Sequence, residues 1–261
     1  MRIFSHTCSN TEIVCALGAG ELLVGVDADS DYPPEVVAKL PRPGRDLDLE
    51  VEAVLALEPE LVLTSLTVPG HERVVEELHN AGLQTLVCDP QSLDDVYGDI
   101  RRIAATIGMP TRGDQLVAGM EAAMPRIEPQ GRRPSVLVEW WPKPVIAPAR
   151  RSWVTDLITR AGGTNPWGEQ DVKSVPLEND QVLEAAPDVI AMSWCGVKVE
   201  NYREDVVRRR PGWEAVPAVA AGRIHAISEA HLGRPGPRLV TGYRQLREAI
   251  AASACYQGER Y

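Results

Sequence analysis

His6 and Cys8 stand two residues apart at the end of the first apolar run, Arg2-Ile3-Phe4-Ser5. With His71 and His231 they are the side chains best suited to a transition metal, since neutral imidazole and thiolate are both good ligands. No pair among them has helical i, i+4 spacing or a compact finger spacing, so no direct protein–metal site is assigned. Cys8 with His6 as a nucleophile–base pair lacks an elbow or oxyanion motif around it. No glycine-rich phosphate loop follows any strand. The five cysteines form no CxxC and are odd in number, which is not a disulfide framework.

These side chains need elements to position them. Residues 2–5 read as a strand, 9–17 as a helix capped by Ser9-Asn10-Thr11-Glu12, and 23–26 as a second strand running into the acidic turn 27–34. Pro69-Gly70 opens a helix over 71–80, and 83–88 is a strand. Helices are predicted over 92–107 and 112–127, interrupted by Gly108-Met109-Pro110. A loop at Pro129-Gln130-Gly131 begins a second series: a strand over 135–139, a helix over 153–160, a helical stretch over 204–210, a last strand over 223–227 and a closing helix over 238–251. The run Arg208-Arg209-Arg210 reads as a solvated helix end. Strands alternating with helices mean βαβ units and parallel sheets.

One phrase occurs twice: 52–65, EAVLALEPELVLTS, and 180–193, DQVLEAAPDVIAMS. Each has an acid, a short amphipathic helix, a proline that ends it, a second acid and an apolar run suited to a buried parallel strand. Two copies predict two lobes built alike.

Ligands of parallel α/β sheets bind beyond the carboxyl ends of the strands. Those ends carry His6, Cys8, Asp29 and the loop 65–71 in the first half. In the second half they carry Trp140, Trp141, Trp194, Cys195, Glu229 and His231. Three of six tryptophans fall at strand ends, where flat aromatic walls suit a large, partly apolar ligand.

The net charge of −10 argues against nucleic acid, and no apolar run approaches the ~20 residues that cross a bilayer. Residues 1–110 carry 19 acids and 7 bases, whereas 131–261 carry 15 and 18, a polarity that fits a solvated acidic surface or a cleft with polarised walls. Met1 leads directly into a strand, with no signal peptide. As written the chain is cytoplasmic, or extracytoplasmic if a leader was removed.

Arg2 to Ser5 with Ser9-Asn10-Thr11-Glu12, then Val24-Gly25-Val26, Ser30-Asp31-Tyr32-Pro33-Pro34, both copies of the phrase and Arg234-Pro235-Gly236-Pro237-Arg238 resemble the vitamin B12 (cobalamin)-binding proteins. These are helical-backbone (class III) periplasmic substrate-binding proteins of ABC importers. The resemblance implies an α/β fold of two Rossmann-like lobes with parallel sheets joined by a single long backbone helix. Its parts would be an N-terminal lobe over 1–108, the connecting helix within 109–130 and a C-terminal lobe over 131–261, with the ligand between the lobes. It implies a monomeric, non-enzymatic carrier with no cofactor of its own, whose ligand is a corrinoid or similar metal chelate. The carrier would dock on an ABC permease through Glu52 and Asp180, positions where the family usually has Glu. Trp140 and Arg234 match corrinoid-contacting positions, while other aromatic positions of that pocket fall on Asp29, Asp46, Ser174 and His231. His6, Cys8, Asp29, His71, Trp140, Trp141, Trp194, His231 and Arg234 are therefore the expected ligand-binding set, with His6 or His231 as a ligand to cobalt or haem iron. The alternatives are a cytoplasmic tetrapyrrole carrier or sensor without a permease, a haem, siderophore or metal-ion binder of the same fold, and an enzyme on a two-lobed scaffold.

Overall fold

The apolar run that closes each copy of the repeated phrase is a strand buried along its whole length, Leu61–Ser65 in the first and Val189–Met192 in the second. The computed structural model describes residues 1–128 and 131–257. The chain divides into two compact units. One comprises residues 1–90 and 95–119, and the other residues 91–94 and the chain from Met120 onward.

The first unit runs β1 (Ile3–Ser5), α1 (Cys8–Ala16), β2 (Leu23–Val26), α2 (Pro34–Val37), β3 (Gly44–Arg45), β4 (Asp48–Leu49), α3 (Val51–Leu55), β5 (Leu61–Ser65), α4 (His71–Asn80), β6 (Thr85–Cys88) and α5 (Leu93–Thr106). α6 (Pro110–Ala123) follows. Strands order β2-β1-β5-β6, all parallel. Chain order reverses between β1 and β5, the switch point at which open α/β sheets leave a crevice. Phe4, Val54, Val62, Val74 and Leu78 pack the helices on this sheet. The helix expected over 112–127 begins two residues earlier and stops before Pro125, whose missing N–H cannot continue it.

The second unit runs β7 (Val136–Glu139), β8 (Trp141–Pro142), β9 (Val145–Pro148), α7 (Trp153–Arg160), β10 (Ser174–Leu177), α8 (Asn179–Ala185), β11 (Val189–Met192), α9 (Glu204–Arg208), α10 (Pro217–Ala220), β12 (Ile224–Ala226), α11 (Glu229–Leu232) and α12 (Leu239–Gln257). β12-β11-β7 is a parallel sheet, and β10-β9-β8 is an antiparallel one that the sequence reading lacks. The turn expected at Pro129-Gln130 lies outside the described residues. At Gly242 an added Cβ would sit 2.1 Å from the His231 carbonyl oxygen, so only glycine lets α12 lie against α11.

In both copies of the phrase the helix ends ahead of the proline rather than at it. The residue just before each proline takes a left-handed conformation, Glu58 at φ 47° and Ala186 at φ 43°. Proline's ring excludes the right-handed helical region for its predecessor, and the same answer appears twice. No helix of the described residues is long and apolar enough to cross a membrane.

Candidate functional site

In the first unit β1 leads into His6 and Thr7, and β2 into Asp27. Thr7 has φ 117°, a costly conformation for a β-branched residue. Its amide donates to Asp27 at 3.1 Å. The Asp27 carboxylate also accepts the Asp29 amide at 2.8 Å and the Ser30 hydroxyl at 2.7 Å. Burial raises the Asp27 pKa, and these donors oppose the rise. Asp27 thus folds the loop after β2 onto the start of α1.

Two buried histidines stand at the switch point. His6 is fully buried, its Nδ1 accepting from Thr64 Oγ1 at 2.7 Å if its Nε2 donates to the Asp46 carbonyl at 2.6 Å. His71, 1% exposed, stands edge-on to His6 with ring centroids 5.2 Å apart and reaches Asp46 Oδ2 from Nε2 at 3.3 Å. Burial, with His71 beside it, lowers the His6 pKa to about 4, so the ring is neutral. The hydrogen bond from His71 holds the Asp46 carboxyl below the usual range. Two histidines expected as ligand contacts therefore grip the turn between β3 and β4 from beneath. That turn lifts Leu47 into solvent, and Tyr32 and Val68 are exposed in neighbouring loops. Cys8 and Asp29 do meet, the thiol donating to the Asp29 carbonyl at 3.1 Å, while the Asp29 carboxylate pairs with Arg45 at 3.1 Å. No group of three His, Cys, Asp or Glu among the described residues suits a metal ion.

In the second unit β7 ends at Glu139, which is fully buried. Arg210 grips its carboxylate through both terminal nitrogens, the Nη2 contact being 3.2 Å. The same Nη2 donates to the Pro142 carbonyl at 3.0 Å, and the guanidinium lies 4.3 Å from the centroid of the Trp213 ring. Arg208 and Arg209 pair with Glu204 and Asp205 one turn back, as a solvated helix end should. Arg210 does not: it turns under the β8–β9 hairpin, because a carboxylate 71 residues away offers a better partner than water.

Trp194 is 5% exposed and belongs to the core, donating to Glu139 at 3.2 Å, so it presents no wall to a ligand. Trp141 is 42% exposed. Trp140 is half-buried, tilted against Trp153 at 6.3 Å, and its indole N–H is buried without a partner among the described residues. Beyond β12, Ser228 caps α11. His231 Nδ1 donates to the Gln245 side-chain oxygen at 3.0 Å, an arrangement that in the neutral imidazole puts the lone pair on Nε2. Arg234 pairs with Glu229 at 3.3 Å, and the Glu229 amide donates to the Tyr202 hydroxyl at 3.2 Å. Sequence reasoning missed Glu139, Arg210 and Tyr202. The one signal was an acid closing the apolar run Val136-Leu137-Val138-Glu139.

Glu52 and Asp180 lie in the first turns of α3 and α8, both exposed and with no ion pair among the described residues. A helix N-terminus favours an acid by about 0.3–1 kcal/mol, and Glu178, not Asp180, makes the capping box of α8.

A protein-family profile described as periplasmic binding protein matches residues 3–230. An uncharacterised ABC transporter substrate-binding lipoprotein, YvrC of Bacillus subtilis (strain 168), is 30% identical over 258 residues, covering 95% of this chain and 79% of that protein. The vitamin B12-binding protein of Pectobacterium carotovorum subsp. carotovorum (strain PC1) is 24% identical over 256 residues, 96% of this chain and 88% of its own. Among solved structures, the periplasmic haem-binding protein RhuT from Roseiflexus sp. RS-1 in apo form superposes with a TM-score of 0.81 at 32% identity, covering 97% of this chain and 98% of that one. With two α/β units on parallel sheets and a profile match spanning nearly the whole chain, this protein belongs to the periplasmic binding protein family, the substrate-binding components of ABC transporters.

Proposed function

We propose that this protein binds a corrinoid, or a related planar metal chelate, outside the cytoplasm and presents it as a monomer to the permease of an ABC importer. The observation that carries the reading is the Trp140–Trp141 pair at the carboxyl end of β7. Trp141 is 42% exposed, and Trp140 holds a buried N–H at the strand end with no partner among the described residues. A relative described as a vitamin B12-binding protein supports the corrinoid. Haem is the second reading, favoured by the higher identity, 32% against 24%, to a protein described as haem-binding. The cytoplasmic carrier has no counterpart among these relatives, described as a lipoprotein or as periplasmic. Turnover of the bound ligand is not expected.

Of the histidines expected to ligate a metal, His6 has both ring nitrogens engaged and no exposed surface. His231 has one half of a ligand's arrangement, Nδ1 oriented by an amide oxygen, which in the neutral ring makes Nε2 the coordinating atom. The test is titration with hydroxocobalamin, hemin and ferric siderophores, followed by tryptophan fluorescence and visible spectra. Stoichiometric quenching by hydroxocobalamin or hemin is expected, and His231→Ala should shift the visible spectrum of the complex. No response to either chelate overturns the reading, and an unchanged spectrum in the variant removes His231 as the ligand.

Glu52 and Asp180 are the proposed permease contacts, supported by their exposure at matching positions of the two copies. Truncating one partner of an interfacial charge pair costs about 2–5 kcal/mol, and reversing its sign costs no less. Glu52→Lys should therefore cut uptake tenfold or more with ligand affinity unchanged. Unaltered uptake leaves Glu52 as a helix-starter, and Asp180→Lys decides the second acid by the same measurement.

A further inference from the structure

We infer that Arg210 and Glu139 are positioning residues for the ligand-facing tryptophans, a pin that holds the β8–β9 hairpin in place beneath Trp140 and Trp141. The inference rests on the reading that this edge of the second unit meets the ligand.

The hairpin is held firmly on one side only. β9 pairs with β10 over four residues, whereas β8 is two residues long and pairs with β9 at Trp141–Ile146 and Pro142–Val145, with one further bond from the Trp140 amide to the Ile146 carbonyl. β8 is thus the weakly laddered edge of this sheet, and Pro142 brings no N–H to it. Arg210 supplies what the ladder lacks, bonding the Pro142 carbonyl from outside the sheet while anchored on Glu139 at the end of β7. The same carboxylate receives the Trp194 indole N–H, so the loop after β11 is tied to the same point.

A buried ion pair is a poor device for stability alone, because its desolvation offsets its attraction and apolar residues of like volume often serve as well. Direction is what it provides. A guanidinium has five N–H groups in a rigid plane, so it can grip a carboxylate at two points, bond a carbonyl and stack on an indole at once. Lysine has the charge without the fork, and methionine has the length without either.

The test pairs Arg210→Lys with the double variant Glu139→Gln/Arg210→Met, which keeps an oxygen for Trp194 and removes both charges. Each is titrated with hydroxocobalamin and hemin, its thermal unfolding is recorded, and 5-fluorotryptophan-labelled protein is followed by fluorine NMR. Trp140 and Trp141 are assigned by Trp→Phe substitution. The double variant is expected to unfold cooperatively within a few degrees of the parent. It should bind the preferred probe at least tenfold more weakly and shift the Trp141 signal in the free protein. Arg210→Lys should show the same two changes, and decides the matter if the double variant does not fold. Parental affinity together with an unmoved Trp141 signal overturns the pin. If the parent binds neither probe, the ligand reading fails, and the fluorine signal of the free protein alone decides for or against the pin.

Discussion

Glu139→Ala is expected to destabilise the second unit by about 3–5 kcal/mol, the cost of breaking a buried ion pair from one side. Glu139 has no exposed surface and the Arg210 side chain is 13% exposed, so water cannot replace the lost carboxylate. The guanidinium would keep only the Pro142 carbonyl and the Trp213 face, and the Trp194 indole would lose its acceptor. Glu139→Gln keeps the acceptor and loses the charge, and its cost should fall between those of parent and alanine. Urea unfolding followed by tryptophan fluorescence measures both. A loss below about 1 kcal/mol for the alanine variant would mean that the pair behaves as a solvent-screened surface contact, and the case for a pinned hairpin would fall with it.

That pair also marks where sequence reading stopped. The parallel strands were legible because strands covered on both faces read as continuous apolar runs, and β5, β7 and β11 are buried throughout. α4 and α7 fall where expected, at His71–Asn80 and Trp153–Arg160, because Pro69-Gly70 and the Ser152 cap punctuate them. The antiparallel β8-β9-β10 sheet was not legible. Its strands contain Pro142, Pro148 and Pro176, and proline in a short run reads as loop, although the edge strands β8 and β10 tolerate Pro142 and Pro176 and Pro148 only closes the central β9.

The site was half legible for a related reason. A strand-end rule places His6, His71 and Trp194 at the mouth of a sheet, but it cannot say which way each side chain turns. His6 turns inward because Thr64 and the Asp46 carbonyl complete its hydrogen bonds, and Trp194 turns inward to reach Glu139. Partners 40 to 58 residues distant decide burial here, and no local pattern contains them. Each unit nonetheless reaches the same design: an exposed apolar side chain, Leu47 or Trp141, on a hairpin gripped from beneath by buried polar groups.

The grip on the first hairpin should make stability respond to acid in a way that only variants reveal. The His6 pKa falls from 6.5 to about 4 on folding. The unfolded chain therefore takes the proton first, and stability is lost as pH falls from 6.5 through 4. At 1.36 kcal/mol per unit the loss is about 3 kcal/mol. Asp99 works against it. Burial raises its pKa from 3.8 to about 6, despite an Arg102 contact at 2.8 Å. The folded chain takes that proton first, and stability rises by about 3 kcal/mol as pH falls from 6 through 3.8. The two nearly cancel across the same window, and buried Asp27, raised, and His225, lowered, act in the same opposed senses, so each contribution is read from the difference between its variant and the parent. His6→Gln keeps a donor for the Asp46 carbonyl and removes the titration. It should be less stable than the parent at pH 7 by about 1–3 kcal/mol and gain on the parent as the solution is acidified. Asp99→Asn should do the reverse, matching or exceeding the parent at pH 7 and falling behind it near pH 4. Asp46, held low by His71, loses its contribution only below its ordinary range and so stays outside the window. Urea midpoints at pH 7, 5.5 and 4 for the three proteins decide it. If the His6→Gln and parent curves run parallel, the imidazole is solvated, and the buried grip on the β3–β4 turn does not exist in solution.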